Sequence, residues 1–208
     1  MSVVEQKDLG LTEQTISSIG LGTVTFGREI DEEMANRVMD YAMENGVTFF
    51  DTAEGYGGGQ SQLGRKRDFG VEDQREVTTE MSSSEKIIGR WIQKRGVRDK
   101  VTICTKVSTG NSPENINKAV AGSLDRLGVD CLDIYKLHFY DTNIPVDETL
   151  DALTIEMNNG RVNAIGCSNY SATQLQEALE VSEVHNYARF SITQPPYNMV
   201  LRDNEQDL

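Results

Sequence analysis

Polar side chains in this sequence fall where apolar runs stop. Asp51 follows Val47-Thr48-Phe49-Phe50, Lys106 ends Val101-Thr102-Ile103-Cys104-Thr105, His138 follows Leu132 to Leu137, Ser168-Asn169 follow Val162 to Cys167, and Gln194 follows Phe190 to Thr193. Short β-branched and aromatic runs bounded by glycine read as buried strands. Tyr56 lies in Asp51-Thr52-Ala53-Glu54-Gly55-Tyr56-Gly57-Gly58-Gly59, whose glycines let the backbone turn sharply and approach a ligand. A carboxylate, a phenol, an ammonium and an imidazole are groups that hold or move protons. Lys106 is costly to bury without a counter-charge, and Asp51 can supply one. Taken singly, Asp51 and Tyr56 read as a polar strand-to-helix loop, and His138 as a satisfied core histidine. Their common placement at one end of successive strands points instead to a site.

The elements that must hold these groups alternate. Val3 to Ile19 reads as a short hairpin leading into a small strand, Ile19 to Thr23. Asp31 to Asn45 carries a helical stripe of Met34, Val38, Tyr41 and Ala42 and stops at Gly46. A second helix opens at a Ser83 cap, with Ile87, Ile88, Trp91 and Ile92 as its apolar face. Ser112-Pro113 opens a third, with Ile116, Val120, Leu124 and Leu127 as its stripe. Asp147 to Asn158 and Ser171 to Val181 complete the set. Strand and helix alternation predicts a parallel sheet with crossover helices outside it. Gly96, Gly128 and Gly160 close successive helices at intervals of about 30 residues, the size of a βα repeat. The first strand lacks the Gly-x-Gly-x-x-Gly turn of a dinucleotide-binding sheet, so the fold expected is a (β/α)8 barrel. Six strands are countable. Residues 1–208 are therefore expected to form a single barrel domain without its seventh and eighth strands. Catalytic groups in such barrels sit at the C-terminal ends of the strands, where these polar residues fall.

Composition narrows the function classes. A formal net charge of −13 opposes binding to nucleic acid or an anionic membrane. No run approaches the roughly 18 apolar residues of a membrane span, and Met1 to Gly10 has no apolar stretch suited to a signal peptide. A soluble cytoplasmic protein is the expectation. Cys104, Cys131 and Cys167 read as reduced core residues, and their spacing suggests no metal site. Gln60 to Met81 is polar and without period; it reads either as an overhang shaping substrate choice or as a surface excursion. Trp91 reads as core, His185 as solvated, and Tyr197-Asn198 as part of a proline-stiffened loop.

One linked set of motifs carries a resemblance. It comprises Gly20-Leu21-Gly22-Thr23, Asp51 to Gly57, Thr105-Lys106-Val107, Ser123 to Gly128, Leu137 to Asp141, Ile165 to Asn169 and Gln194 to Asn198. In this order and spacing the chain resembles the aldo-keto reductases over nearly its whole length. The resemblance implies an NADPH-dependent reductase that transfers a hydride to the carbonyl of an aldehyde or ketone, keto sugars among the candidates. It implies a catalytic tetrad of Asp51, Tyr56, Lys106 and His138, with Tyr56 as proton donor, made acidic by Lys106. Asp51 would orient Lys106, and His138 would hydrogen-bond the substrate oxygen. It also implies NADP contacts from Thr23, Asp51, Ser168, Asn169 and Gln194. The β subunits of voltage-gated potassium channels look like the same family and act as nicotinamide-binding regulators. They carry asparagine at the position matching His138, so the histidine favours a working reductase.

Overall fold

A computed structural model describes residues 4–10, 12, 14–58, 77–78 and 80–207. Most of the Gln60 to Met81 excursion lies outside the described residues. The chain opens with an antiparallel hairpin, β1 (Gln6–Asp8) and β2 (Thr15–Ser17). Among the described residues six parallel strands follow, hydrogen-bonded in chain order: β3 (Gly20–Gly22), β4 (Phe49–Asp51), β5 (Thr102–Val107), β6 (Leu132–Leu137), β7 (Val162–Ser168) and β8 (Ile192–Gln194). Between them run α1 (Glu32–Glu44), α2 (Ser83–Arg95), α3 (Pro113–Leu127), α4 (Val146–Asn158) and α5 (Ala172–His185). A short α6 (Asn204–Asp207) ends the described chain. The six strands form a curled half-barrel with β3 and β8 at its edges, as the alternating pattern predicts.

Strand periodicity divides the core into two layers, because successive side chains face opposite sides of a sheet. The outer layer packs Phe50, Ile103, Leu137, Ile165 and Cys167 against helix residues such as Trp91, Ile116, Val120, Leu150 and Leu153. Trp91 is buried as expected, and its indole N–H donates to Asp40 Oδ1 at 2.8 Å. The inner layer is small: Cys104, Ile134 and Ala164, with Phe49 and Ile192, meet Leu9 and Ile16 of the hairpin. The hairpin therefore closes the N-terminal end of the half-barrel, and the opposite end stays open for chemistry.

Three local expectations need correction. The buried face of α1 is Ala35, Met39 and Ala42, whereas Met34 and Tyr41 are 42% and 70% exposed. Apolar residues occur on both faces of that helix, and both sets have helical spacing. The residue preceding α2 is Ser82, in the left-handed region (φ 55°), with no side-chain cap bond. Ser83 and Ser84 do not cap the helix; their hydroxyls reach the loops that carry the site. Cys104 and Cys167 are buried free thiols, but Cys131 is only partly buried. The capping predicted for α3 is observed, with Ser112 accepting from the Asn115 N–H and Pro113 in the first turn. No described helix is long and apolar enough to cross a membrane.

Candidate active site

Inward-facing positions near the open end read Asp51 on β4, Lys106 on β5, Lys136 on β6, Gly166 and Ser168 on β7, and Gln194 on β8. Lys106 and Lys136 are register partners, as are Ser168 and Gln194. Lys106 is 1% exposed and Lys136 2%. Buried ammonium groups need acceptors. Lys106 Nζ donates to Asp51 Oδ2 at 2.8 Å and to the Thr52 carbonyl at 2.7 Å. Lys136 Nζ donates to Asp51 Oδ1 at 3.3 Å and to Gln194 Oε1 at 2.6 Å. The predicted Asp51–Lys106 pair is therefore present, but one carboxylate serves two lysines. Burial alone would raise the Asp51 pKa; Lys106 and Lys136 outweigh it and hold the carboxyl below its usual range.

The loop after β4 brings Tyr56 over this cluster. Lys106 Nζ lies 4.9 Å from the centroid of the Tyr56 ring, and the rings of Tyr56 and His138 meet edge to face at 5.5 Å. The buried polar start of α2 pins the loop. The Ser84 N–H donates to the Tyr56 carbonyl at 3.3 Å, and Ser83 Oγ accepts from the Gly58 N–H at 2.9 Å. A Cβ on Gly58 would stand 1.8 Å from the Thr78 carbonyl oxygen, so only glycine fits this crossing. Glu54 Oε1 accepts from the N–H groups of Ser108 and Thr109 at 2.6 and 2.8 Å, tying the β4 loop to the β5 loop. Ser108 Oγ then hydrogen-bonds His138 Nδ1 at 2.7 Å.

The expected tetrad thus converges on one end of the half-barrel, with a difference in charge. Burial pushes the Tyr56 phenol up to about 12, Asp51 adds to the rise, and Lys136 pulls against it. The sequence reading anticipates a phenol acidified by Lys106; here that ammonium lies over the ring face and spends donors on Asp51 and Thr52. Burial, reinforced by Lys106, lowers the His138 pKa to about 4, so the imidazole is neutral at physiological pH. Cys104 lies near the lysines, yet burial raises its thiol to about 11, which leaves it protonated.

Among the residues expected to contact a cofactor, Ser168 and Gln194 come together, with Ser168 Oγ donating to Gln194 Oε1 at 3.3 Å. Asn169 is exposed beside them at φ 58°, its Nδ2 donating to the His138 carbonyl at 2.9 Å. Thr23 differs. Its hydroxyl is fully buried, donates to the Asp51 carbonyl at 3.0 Å and accepts from Ser84 Oγ at 2.8 Å, bracing β3 against β4. Lys136, Glu54 and Ser108 are the site residues that motif reading missed. Lys136 was legible, because strand periodicity puts it on the same face as His138 two residues later.

Comparison with known proteins agrees with this architecture. The Aldo/keto reductase family profile matches residues 18–208. The chain is 31% identical to the Bacillus subtilis (strain 168) protein named "Uncharacterized oxidoreductase YrpG", over 99% of this chain and 61% of that protein. It is 30% identical to "Aldo-keto reductase YhdN" of the same organism, over 92% of this chain and 53% of the relative. It therefore spans between half and two thirds of the length of the curated relatives it matches. The crystal structure of the thermostable aldo-keto reductase Tm1743, in complex with the inhibitor epalrestat, superimposes with a TM-score of 0.77 at 29% identity. That match covers 98% of this chain and 66% of the other. With a curled parallel barrel sheet, polar groups gathered at its C-terminal end and a family match across most of its length, the chain belongs to the aldo-keto reductase family.

Proposed function

We propose that this chain carries the catalytic site of an NADPH-dependent carbonyl reductase, with Tyr56 as proton donor to an aldehyde or ketone oxygen. The observation that supports it most is the convergence of Asp51, Tyr56, Lys106 and His138 within hydrogen-bond or ring contact of one another. Ser168, Asn169 and Gln194 stand at the open ends of β7 and β8 and suit a nicotinamide carboxamide, which has one amide donor and one acceptor face. Gln194 turns its oxygen inward, so its amide N–H is the group it can offer. The nicotinamide, when bound, supplies the hydride.

Hydride addition builds negative charge on the carbonyl oxygen, and a donor must be aimed at that charge. A phenol with a pKa near 12 is fully protonated at neutral pH, so Tyr56 is loaded before each turnover. As its proton leaves, charge grows on the phenol ring beside the Lys106 ammonium, which favours the transfer. Neutral His138 completes the donor set. With Ser108 Oγ donating to Nδ1, the Nε2–H is presented to the substrate oxygen. Asp51 holds Lys106 in place.

Incubating the natural protein with NADPH and a panel of aldehydes, ketosteroids and keto sugars, and following loss of the reduced-nicotinamide absorbance, tests this. Turnover with at least one substrate is expected, reduced by about 100-fold or more in Tyr56→Phe. Cofactor binding without turnover across the panel, or a Tyr56→Phe variant as fast as wild type, would overturn it.

A further inference from the structure

We propose that Lys136 is a positioning residue of the reductase site, turning the Gln194 amide so that it offers a donor to the nicotinamide and bringing a second ammonium to the Asp51 carboxylate. This inference rests on the reductase reading above. An amide can be built either way round, and the surroundings decide. An ammonium only donates, so Lys136 at 2.6 Å forces the Gln194 oxygen to face it. Ser168 Oγ fills the other side of that oxygen at 3.3 Å. Gln194 Nε2 then reaches Asp51 Oδ2 at 3.4 Å with one hydrogen and keeps the second for a ligand. β8 is a three-residue edge strand whose Gln194 is solvent-exposed. Its terminal side chain is held from within the barrel by Lys136, Ser168 and Asp51.

The charge count points the same way. Two lysines share one carboxylate, so Asp51, Lys106 and Lys136 together carry one net positive charge. Among the described residues, the titratable groups around Lys136 are Asp51 and Tyr56 from β4 and its loop, Cys104 and Lys106 from β5, His138 beyond β6, and Cys167 from β7, while Arg28 from the loop after β3 also acts on Tyr56. Both cysteines and His138 are neutral at physiological pH. At Tyr56 the Asp51 carboxylate and Lys136 pull in opposite directions, the carboxylate more strongly, so Lys136 offsets part of the rise that burial and Asp51 impose on the phenol.

Two variants separate the roles. Lys136→Met removes both donor and charge while filling the space; Lys136→Gln keeps a donor and loses the charge. In the full chain, Lys136→Met should weaken NADPH binding, read by calorimetry, by about 10-fold, the worth of one hydrogen bond to a charged group. Lys136→Gln should recover most of it. Both should move the alkaline limb of the kcat/KM profile for carbonyl reduction upward in pH, because the phenol loses a stabilising cation. In the protein without cofactor, both should raise the Asp51 carboxyl pKa, followed by carbon-13 NMR. Wild-type affinity with an unmoved alkaline limb in Lys136→Met would overturn this inference and leave the reductase reading standing. If wild type itself binds no cofactor, the reductase reading fails, and the Gln194 role proposed here fails with it; an unmoved Asp51 titration would overturn the charge role as well.

Discussion

Lys106 and Lys136 face each other directly across the β5–β6 ladder, and the carboxylate of Asp51 reaches both ammonium groups, at 2.8 and 3.3 Å. Like charges directly opposite on neighbouring strands destabilise a sheet, and burial removes the water that would screen them. The half-barrel tolerates the pair because each Asp51 oxygen takes one lysine, while Thr52 and Gln194 accept a further proton from each. Structure and proposed chemistry thus draw on the same three side chains.

Asp51→Asn should therefore destabilise the protein strongly, since it strands two buried cations at once. Breaking a buried ion pair from one side costs about 3–5 kcal/mol, and urea unfolding should show a loss of that size. Lys136→Met should cost far less, because it removes one of two repelling charges and leaves Asp51 paired with Lys106. An Asp51→Asn variant as stable as Lys136→Met would show that the lysines do not depend on this carboxylate.

Activity should follow the two shifted donors. His138 is neutral above about pH 4 and Tyr56 protonated below about pH 12. Carbonyl reduction should accordingly be flat near neutrality, falling in acid as His138 gains a proton and in strong alkali as Tyr56 loses one. The same histidine affects stability. Its folded pKa lies below its unfolded value near 6.5, so the unfolded chain binds the extra proton first. Its contribution is intact above that value and is lost as pH falls toward 4. His138→Asn should abolish the acid limb of kcat/KM; an unchanged limb would assign it elsewhere.

Much of this was legible from residue order. Glycines after Arg95, Leu127 and Asn159 marked the helix ends, and the alternating runs dictated a parallel sheet. Lys106 announced its partner because an ammonium at the end of Val101 to Thr105 has to be neutralised. Lys136 stayed hidden inside a run read as uniformly strand-forming, although its spacing from His138 placed both on the inner face. Glu54 and Ser108 lie in loops, where no periodicity reports direction. The Tyr56 shift is illegible in the sequence for a related reason: residue order puts a cation nearby, but shows neither how deeply the phenol is buried nor that Asp51 acts on it.

Glu54 and Ser108 offer a test of how the loops hold His138. Ser108→Ala removes the Nδ1 contact at 2.7 Å, and kcat/KM should fall by about 10-fold with little change in stability, since one side-chain hydrogen bond is lost. Glu54→Ala strips the acceptor from the Ser108 and Thr109 N–H groups and the Thr109 hydroxyl. Ser108 is only half-buried and Thr109 is exposed, so water replaces part of what is lost; the variant should lose about 1 kcal/mol of stability and, through the displaced Ser108, rate as well. Equal kcat/KM in wild type and Ser108→Ala would show that the imidazole is oriented without the serine.

Gly166 tests whether the edge strand is part of the site. It pairs with Lys136 on one side and Ile192 on the other, and its missing side chain leaves the inner face open at the level of the lysine. A Cβ there would stand 2.3 Å from the Ile192 carbonyl oxygen, a backbone atom that moves only if β8 moves. Gly166→Ala should push β8 outward, carry Gln194 away from Lys136 and Asp51, and cost about 1–3 kcal/mol, the usual penalty for overpacking. Hydrogen exchange at Thr193 and Gln194 should quicken, and NADPH affinity should fall with it. Gly22→Ala on the opposite edge strand is the control, because its added Cβ meets nothing within 4 Å. If Gly166→Ala matches that control in exchange and in affinity, β8 does not depend on its backbone contact with β7, and Gln194 is placed by some other restraint.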